Sequence, residues 1–413
     1  MTASSAMAAA APVNPSFRGR IQSIDVLRGI VMVIMAIDHV RDFFYKAPIG
    51  NAASVATDPT NMDTTYPALF FTRFITHFCA PVFVFLTGTS AFLAGQKKTK
   101  NELSAFLIKR GFWLVIVELV IITLGWTFDP LYHFLILQVI WAIGVSMIIL
   151  GLAVQLPWKV VGIIGLIIVF GHNLLDNPDT AAALKGSTFA DLAYFGIFSF
   201  HPLADQRGFL IVYSFLPWTG IMMVGYAFGK LYLKDFDPAR RKRILYTTGI
   251  AMLILFFVLR FINGYGDPAP WSEQKRGATY TFLSFLNVTK YPPSLDFILV
   301  TLGLALMVLA SLEKIKNKLT GVMNVFGRVP LFYYILHFYL IHIFVVILFF
   351  ATGHTTDQIV PPGLPFLFRP PDQGFNLWGV YAVWLLVVLI LYPLCKKYDR
   401  YKTTHNKWWL SYL

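Results

Sequence analysis

Long apolar stretches follow one another through most of this chain of 413 residues. A bilayer core about 30 Å thick needs about 20 apolar residues per helical span, and windows of about 19 residues predict about ten spans. They lie near 24–46, 67–95, 105–127, 130–153, 156–174, 209–232, 243–263, 293–312, 328–352 and 376–396. Only 13% of the residues are charged, whereas soluble domains have about 25%. The sequence therefore predicts an all-α integral membrane protein of about ten transmembrane helices.

The two ends of the chain differ in composition from the apolar region between them. Residues 1–20 are rich in Ala, Ser and Pro and lack the apolar run of a signal peptide, so we interpret them as a disordered tail. Residues 21–398 are predicted to form one transmembrane domain, and residues 399–413 a cytoplasmic tail. Outer loops rich in Pro, Gly, Asp, Asn and Thr are predicted near 47–66, 175–208, 264–292 and 353–375.

The positions of the basic residues explain the formal net charge of +13. With the N-terminus inside, about 24 of the 34 Lys and Arg residues fall at cytoplasmic ends, as the positive-inside rule requires. Both termini are then cytoplasmic, and the basic ends face anionic membrane lipid, so no nucleic-acid partner is predicted. Cys79 and Cys395 lie in separate apolar spans, which predicts neither a disulfide framework nor a thiolate metal site.

The first span carries several ionisable side chains. Each costs about 2.5–3.5 kcal/mol on insertion scales, so such residues usually mark function. At about 100° per residue, Arg28 and His39 are offset by only about 20°, and Asp25 and Asp42 lie within about 60° of the same stripe. These four side chains are predicted to line one face of the helix, while Asp38 points in a neighbouring direction.

Spans two and nine add further polar groups at a similar depth. Arg73 and His77 are four residues apart and therefore share one side of span two. His39 and His77 lie about 10 and 15 Å below the outer ends of their spans, so they could meet in one cavity. His337 and His342 diverge by about 140° on span nine, so only one of them is expected to face that cavity. His342 matches His39 in depth.

This set of residues fits general-base chemistry. A histidine with a pKa near 6.5 can take a proton from a hydroxyl or an amine at neutral pH. We expect His39 or His77 to be that base, and Asp38 or Asp42 to fix the tautomer of the His39 ring. A membrane histidine can also serve only as a hydrogen-bonding group between helices.

Other residues are candidates for binding rather than for proton transfer. Arg28 either pairs with Asp25 as an anchor or holds an anionic donor group. The substrate-binding or donor-binding candidates are Asp25, Arg28, Arg73, His342 and Lys290. No metal is predicted, because the histidines and Asp38 lack a diagnostic ligand spacing. The sequence also lacks a Gly-x-Ser-x-Gly nucleophile motif and a phosphate-binding glycine loop.

The first span contains an Arg-Gly pair that is followed by a histidine eleven residues after the arginine. SIDVLRGI (23–30) followed by His39 resembles the first helix of the transmembrane acyltransferase superfamily, in which an Arg-Gly pair precedes a functional histidine by eleven residues. The chain is also similar to bacterial relatives of the heparan-alpha-glucosaminide N-acetyltransferase catalytic domain. The supporting stretches are APVFVFLTGTS (80–90), LPWTG (216–220), YPPSL (291–295) and FGRVPL (326–331).

The resemblance implies a function and a location. It implies a cytoplasmic acyl-CoA donor, most simply acetyl-CoA, and a glycan or amino-sugar acceptor on the far side of a bacterial inner membrane. The lysosomal enzyme of this family has Asn at the position of His39, and its catalytic His lies in the loop before span two, near the position of Tyr66 and Pro67 here. The identity of the acceptor therefore cannot be inferred from the family. The oligomeric state is also open, and a homodimer is one alternative.

Two other functions remain as alternatives. A transporter or flippase of a small polar or lipid-linked substrate would use the same polar groups as a pathway, although no paired discontinuous spans are evident. A structural or partner-binding membrane protein would tolerate the loss of the histidines.

Overall fold

The computed structural model describes residues 21–46, 58–184, 186–203, 207–359, 366–370 and 373–411. The predicted N-terminal tail at 1–20 lies outside the described residues. Their α-helices are α1 (Gln22–Phe44), α2 (Pro67–Thr76), α3 (Cys79–Gly95), α4 (Lys100–Ile116), α5 (Thr123–Thr127), α6 (Val139–Ala153), α7 (Trp158–Gly171), α8 (Pro178–Leu184), α9 (Thr188–Ala190), α10 (Leu216–Phe228), α11 (Pro238–Ile262), α12 (Ala278–Leu286), α13 (Leu295–Leu312), α14 (Lys318–Arg328), α15 (Pro330–Ala351) and α16 (Leu377–Thr404). A π-helical turn at Val117–Ile122 joins α4 to α5.

Six of the described helical segments are long and apolar enough to cross a membrane. They are Pro67–Gly95, Trp158–Asp176, Pro238–Ile262, Leu295–Leu312, Pro330–Ala351 and Leu377–Thr404, and Val139–Ala153 is a shorter apolar helix. The protein is therefore mostly helical with several membrane-spanning candidates, as predicted, while the full number of ten remains a prediction. Helix α1 falls short on composition because its ionisable residues interrupt the apolar stretch.

A small sheet replaces helix at two places where the sequence predicted a span. Its strands are β1 (Phe134–Leu137), β2 (Phe200–Pro202) and β3 (Gly208–Ile211), in the order β1-β3-β2. Strands β1 and β3 run parallel, and β2 and β3 antiparallel. The predicted starts of the spans at 130–153 and 209–232 are therefore wrong. A short apolar run cannot be assigned to strand or helix by its periodicity alone.

The predicted span at 67–95 contains a break between α2 and α3. His77 and Phe78 form a turn there, and Pro81 lies in the first turn of α3. A proline ring clashes with the carbonyl of the residue four positions earlier, which here is His77. The proline therefore accounts for the break and leaves His77 at a bend.

Helix α1 lies inside the bundle, and its backbone touches that of α14. A Cβ atom added to Gly29 would lie 1.8 Å from the Met323 carbonyl oxygen, and one added to Gly327 would lie 1.7 Å from the Asp25 carbonyl oxygen. Only glycine allows backbones to come this close. The LRGI and FGRVP stretches, which are 299 residues apart at Arg28 and Gly327, therefore meet at one helix crossing.

A second close crossing joins α3 to α10. A Cβ atom on Gly88 would lie 2.0 Å from the Met222 carbonyl oxygen, and one on Gly225 would lie 2.1 Å from the Phe85 carbonyl oxygen. The Thr89 hydroxyl also donates a hydrogen bond of 3.0 Å to the Gly225 carbonyl oxygen. These contacts hold the TGTS stretch of α3 against α10, with Ser90 next to α1.

Candidate functional site

A cavity of about 2010 Å³ follows α1 through the bundle. Its α1 lining runs from Ile24 to Asp42, a distance of roughly 27 Å at 1.5 Å per residue. Small-molecule sites typically occupy about 300–1,000 Å³, so this cavity has room for two substrates. Asp25, Arg28, His39 and Asp42 all line it, so the polar stripe predicted on this helix faces one shared space. Asp38, predicted to point in a neighbouring direction, lines the cavity as well.

At the N-terminal end of α1, Arg28 joins three elements of the bundle. Its guanidinium donates to Asp25 at 2.8 Å, to the Gly327 carbonyl oxygen at 3.2 Å and to the Ser90 hydroxyl at 3.1 Å. Asp25 is 5% exposed. Three partners on α1, α14 and α3 are typical of an anchor, while the position of Arg28 in the cavity lining also leaves it accessible to a ligand.

The same end of the cavity is surrounded by basic side chains. We call this end the basic mouth, defined by Lys97, Lys98, Lys234, Lys402 and Lys407. The lining there also includes Asp235 and the 80% exposed Trp408. Residues 399–413, which the sequence predicts to be a separate tail, therefore border the cavity.

Toward the other end of the cavity, His39 pairs with His337. The Nδ1 atom of His39 lies 2.6 Å from Nε2 of His337, and Nδ1 of His337 lies 3.2 Å from the Tyr333 carbonyl oxygen. Trp126 and Phe338 pack against the His39 ring at centroid distances of 5.4 and 4.4 Å. His337 is fully buried and is not part of the cavity lining, whereas His39 is.

This arrangement corrects the prediction for span nine. His342, which the sequence favoured because of its depth, does not line the described cavity. Its ring nitrogens lie 3.1 Å from the Gly125 carbonyl oxygen and 3.0 Å from the Leu367 carbonyl oxygen, and its ring stacks on Phe128. The proposed binding role of His342 has no support in these contacts, and His337 is the histidine that faces His39.

A buried charge cluster lies beside the His39 pair. Asp38 forms ion pairs with Arg41 at 2.6 Å and with Arg73, and the Lys290 ammonium lies 3.9 Å from its carboxylate. Asp42 pairs with Arg41 at 2.7 Å. Within the described residues neither carboxylate hydrogen-bonds to the His39 ring, which differs from the predicted orienting role of Asp38 or Asp42. Both carboxylates bind arginines instead.

Lys290 reaches the cavity from the segment between α12 and α13. It is 8% exposed, and its ammonium lies 5.0 Å from the Tyr291 ring centroid and 5.9 Å from that of Tyr213. Arg73 contacts the Tyr291 hydroxyl at 3.4 Å. The predicted binding candidates Arg73 and Lys290 thus lie together at this end of the cavity.

Arg369 brings another cation to the same end, from the segment between α15 and α16. Its Nε donates to the Phe43 carbonyl oxygen at 3.1 Å. Burial lowers the pKa of Arg369 to about 10, against the attraction of Asp42. The guanidinium therefore stays charged at neutral pH.

His77, at the bend between α2 and α3, also lines the cavity. It is 4% exposed, its ring packs on Phe297, and its Nδ1 atom has no hydrogen-bond partner among the described residues. His39 and His77 thus share one cavity, although no direct contact joins them. Nearby Cys79 is a free thiol that donates to the Val31 carbonyl oxygen at 3.3 Å.

Two other groupings of side chains bear on the chemistry of the site. The described residues contain no group of three or more His, Cys, Asp or Glu side chains that could hold a metal ion. Ser199 and Asp191 both approach Nε2 of His201, at 3.0 and 3.5 Å. A Ser-His-Asp relay needs both ring nitrogens, so this cluster is not one.

Fold and cavity together define a multi-pass membrane protein with a buried site of histidines and ion pairs. The family model described as "Heparan-alpha-glucosaminide N-acetyltransferase, catalytic" matches residues 20–262, more than half of the chain. The chain therefore belongs to this family, which suggests a transmembrane acetyltransferase. No curated protein sequence matches the chain. The match includes His39 and His77, while His337 and the C-terminal side of the basic mouth lie beyond it.

Proposed function

We propose that this protein moves an acyl group, most simply acetyl, from a cytoplasmic acyl-CoA to an amine or hydroxyl of a sugar on the outer side of the membrane. The observation that carries the proposal is the single cavity that joins the basic mouth to His39. A donor and an acceptor that arrive from opposite ends would meet at the histidine. Family membership supports the same class of reaction.

The basic mouth has the chemistry of a site for the donor. CoA carries phosphate groups on its nucleotide, and clustered lysines attract phosphate as point charges. Between this mouth and His39 the lining is largely apolar, with Met32, Met35, Phe83 and Ile143. Arg28 and His39 are eleven residues apart, about 16 Å along the helix. An extended pantetheine arm can cover such a length, which would place the thioester near His39.

The chemical step that we propose needs one base and no metal. His39 takes the proton from the acceptor nitrogen or oxygen as that atom bonds to the thioester carbon. The carbon–sulfur bond then breaks, and the CoA thiolate leaves and can receive the proton from His39. Arg73 and Lys290 place positive charge in the same half of the cavity, which favours an oxygen atom that becomes negative during the transfer.

The orientation of the chain forms part of the proposal. Ten spans with both termini in the cytoplasm would put the basic mouth at the inner surface, where acyl-CoA is available. The domain limits at 21–398 and a location in a bacterial inner membrane belong to the same proposal. The apolar faces of the helices would contact membrane lipid. The family's description names an aminosugar, so the amino-sugar end of a glycan is the first acceptor to test.

The direct test is acyl transfer by the purified full-length protein in lipid vesicles. Acetyl-CoA is supplied with glucosamine or with envelope glycans, and both released thiol and acetylated product are measured. We expect turnover in the wild type and at least about a hundredfold loss in His39→Ala, since general-base catalysis contributes about 10²–10⁴-fold. His133→Ala is the matched control, because His133 is partly exposed and does not line the cavity. Full turnover by His39→Ala would contradict the assignment of the base.

A transporter remains the second candidate, because the cavity approaches both ends of the bundle. It predicts movement of a polar or lipid-linked sugar across vesicles without any acyl-CoA. Mass spectrometry of envelope glycans and lipids, with and without the protein, separates the two functions. A missing acyl group supports transfer, whereas an unmodified substrate that accumulates on one side supports transport.

A further inference from the structure

The donor and the acceptor in the hydrogen bond between His39 and His337 can be assigned from the groups around the two rings. The Tyr333 carbonyl oxygen, 3.2 Å from Nδ1 of His337, can only accept a hydrogen bond. Nδ1 of His337 therefore carries a proton. In a neutral ring, Nε2 of His337 then has a lone pair and must accept.

The same reasoning assigns the protons of the His39 ring. Nε2 of His337 accepts the hydrogen bond of 2.6 Å from His39, so Nδ1 of His39 carries a proton. Nε2 of His39 is then the unprotonated nitrogen. Within the described residues no protein group hydrogen-bonds to that atom, and the His39 side chain lines the cavity.

We propose that His337 is a positioning residue that holds His39 as the Nδ1–H tautomer and thereby makes Nε2 of His39 the proton acceptor. The second nitrogen of a functional histidine is commonly fixed by a carboxylate or a carbonyl. Here the neighbouring carboxylate of Asp38 is bound by Arg41 and Arg73, and a buried imidazole takes its place. The effect of His337 on rate rests on the proposed acyl transfer, while its effect on the tautomer does not.

Two substitutions separate positioning from packing. His337→Phe keeps a ring of similar size but removes the acceptor for Nδ1 of His39. His337→Gln places an amide oxygen near the position of Nε2 and keeps an acceptor. We expect His337→Phe to lower kcat about 10-fold to 100-fold, the range known for removing the hydrogen-bond partner of a metal-binding histidine, whose ring is held in the same way. The KM for acetyl-CoA should stay unchanged, and His337→Gln should regain most of kcat.

A spectroscopic measurement tests the tautomer without any turnover. Nitrogen-15 NMR of labelled imidazoles distinguishes Nδ1–H from Nε2–H rings, and comparison with His39→Ala identifies the His39 signals among those of the nine histidines. We expect an Nδ1–H ring for His39 in the wild type and in His337→Gln, and a mixture of tautomers in His337→Phe.

Failure of the positioning role of His337 can be distinguished from failure of the proposed acyl transfer. A wild-type protein that never transfers an acyl group contradicts that function, and the NMR result still decides the tautomer. An Nε2–H ring for His39 in the wild type overturns the positioning role. Equal kcat in the wild type and His337→Phe, or equal loss in His337→Phe and His337→Gln, overturns it as well.

Discussion

At the level of single residues, one carboxylate contacts three cations in the interior. Asp38 is 7% exposed and holds Arg41 and Arg73 in ion pairs, with Lys290 next to them. Removing one partner of a buried pair leaves an uncompensated charge and costs about 3–5 kcal/mol. The position of the cations beside His39 therefore depends on this one side chain.

We expect Asp38→Asn to lower the melting temperature in detergent strongly, because two buried guanidinium groups would lose their shared partner. Asp42→Asn is the matched control, since its carboxylate is 29% exposed, whereas that of Asp38 is 10% exposed. Thermal unfolding monitored by intrinsic fluorescence measures both. Equal melting temperatures for the two variants would contradict the central role of Asp38.

At the scale of elements, glycines on neighbouring helices fix the location of the polar groups. Gly29 and Gly327 allow α1 and α14 to touch, which brings the Gly327 carbonyl oxygen within 3.2 Å of Arg28. A bulkier residue at either position would push the backbones apart. The glycine in each sequence motif is thus needed for close packing, whereas the arginine beside it contacts the cavity.

We expect Gly327→Ala to destabilise the protein by at least about 1–3 kcal/mol, the usual cost of overpacking, because its Cβ would clash with the Asp25 carbonyl oxygen. Gly321→Ala on the same helix is the control, since a Cβ there meets nothing within 4 Å. Replacing an exposed helical glycine by alanine should leave stability equal or higher. The free energies of unfolding, or the melting temperatures in detergent, compare the two. A Gly327→Ala variant as stable as the wild type would contradict the crossing.

At the scale of the whole molecule, the cavity lining contains residues from both ends of the bundle. Lys97 and Asn406 belong to the lining near the basic mouth, and Asp58 and Asn287 to the lining near Lys290. The proposed orientation assigns these two ends to opposite sides of the membrane.

We expect an impermeant thiol reagent to label Lys97→Cys and Asn406→Cys from the cytoplasmic side and Asp58→Cys from the outer side. The parent chain is the control, because Cys79 and Cys395 are buried. Labelling is measured on intact cells and on inverted vesicles. Reaction of Lys97→Cys and Asp58→Cys from the same side would refute the orientation and the count of ten spans.

The residues of the candidate site differ in how well the sequence predicts their positions. The period of the helix was enough to put Asp25, Arg28, His39 and Asp42 on one face, since all four positions lie in one element with fixed geometry. The choice between His337 and His342 required the rotation of α15 about its own axis. Helix packing sets that rotation, and depth along the chain carries no information about it.

Local order, hydropathy and helical period were enough to predict the family, the predominantly helical fold and the polar stripe of α1. Three contacts became visible in the folded bundle alone: Asp38 binds arginines, His337 contacts His39, and the segment around Trp408 borders the basic mouth. Some of these contacts join residues far apart in the chain. In the case of Asp38, the fold determines which of several nearby groups the carboxylate binds. These contacts depend on how the helices cross and rotate, which packing of the whole bundle controls.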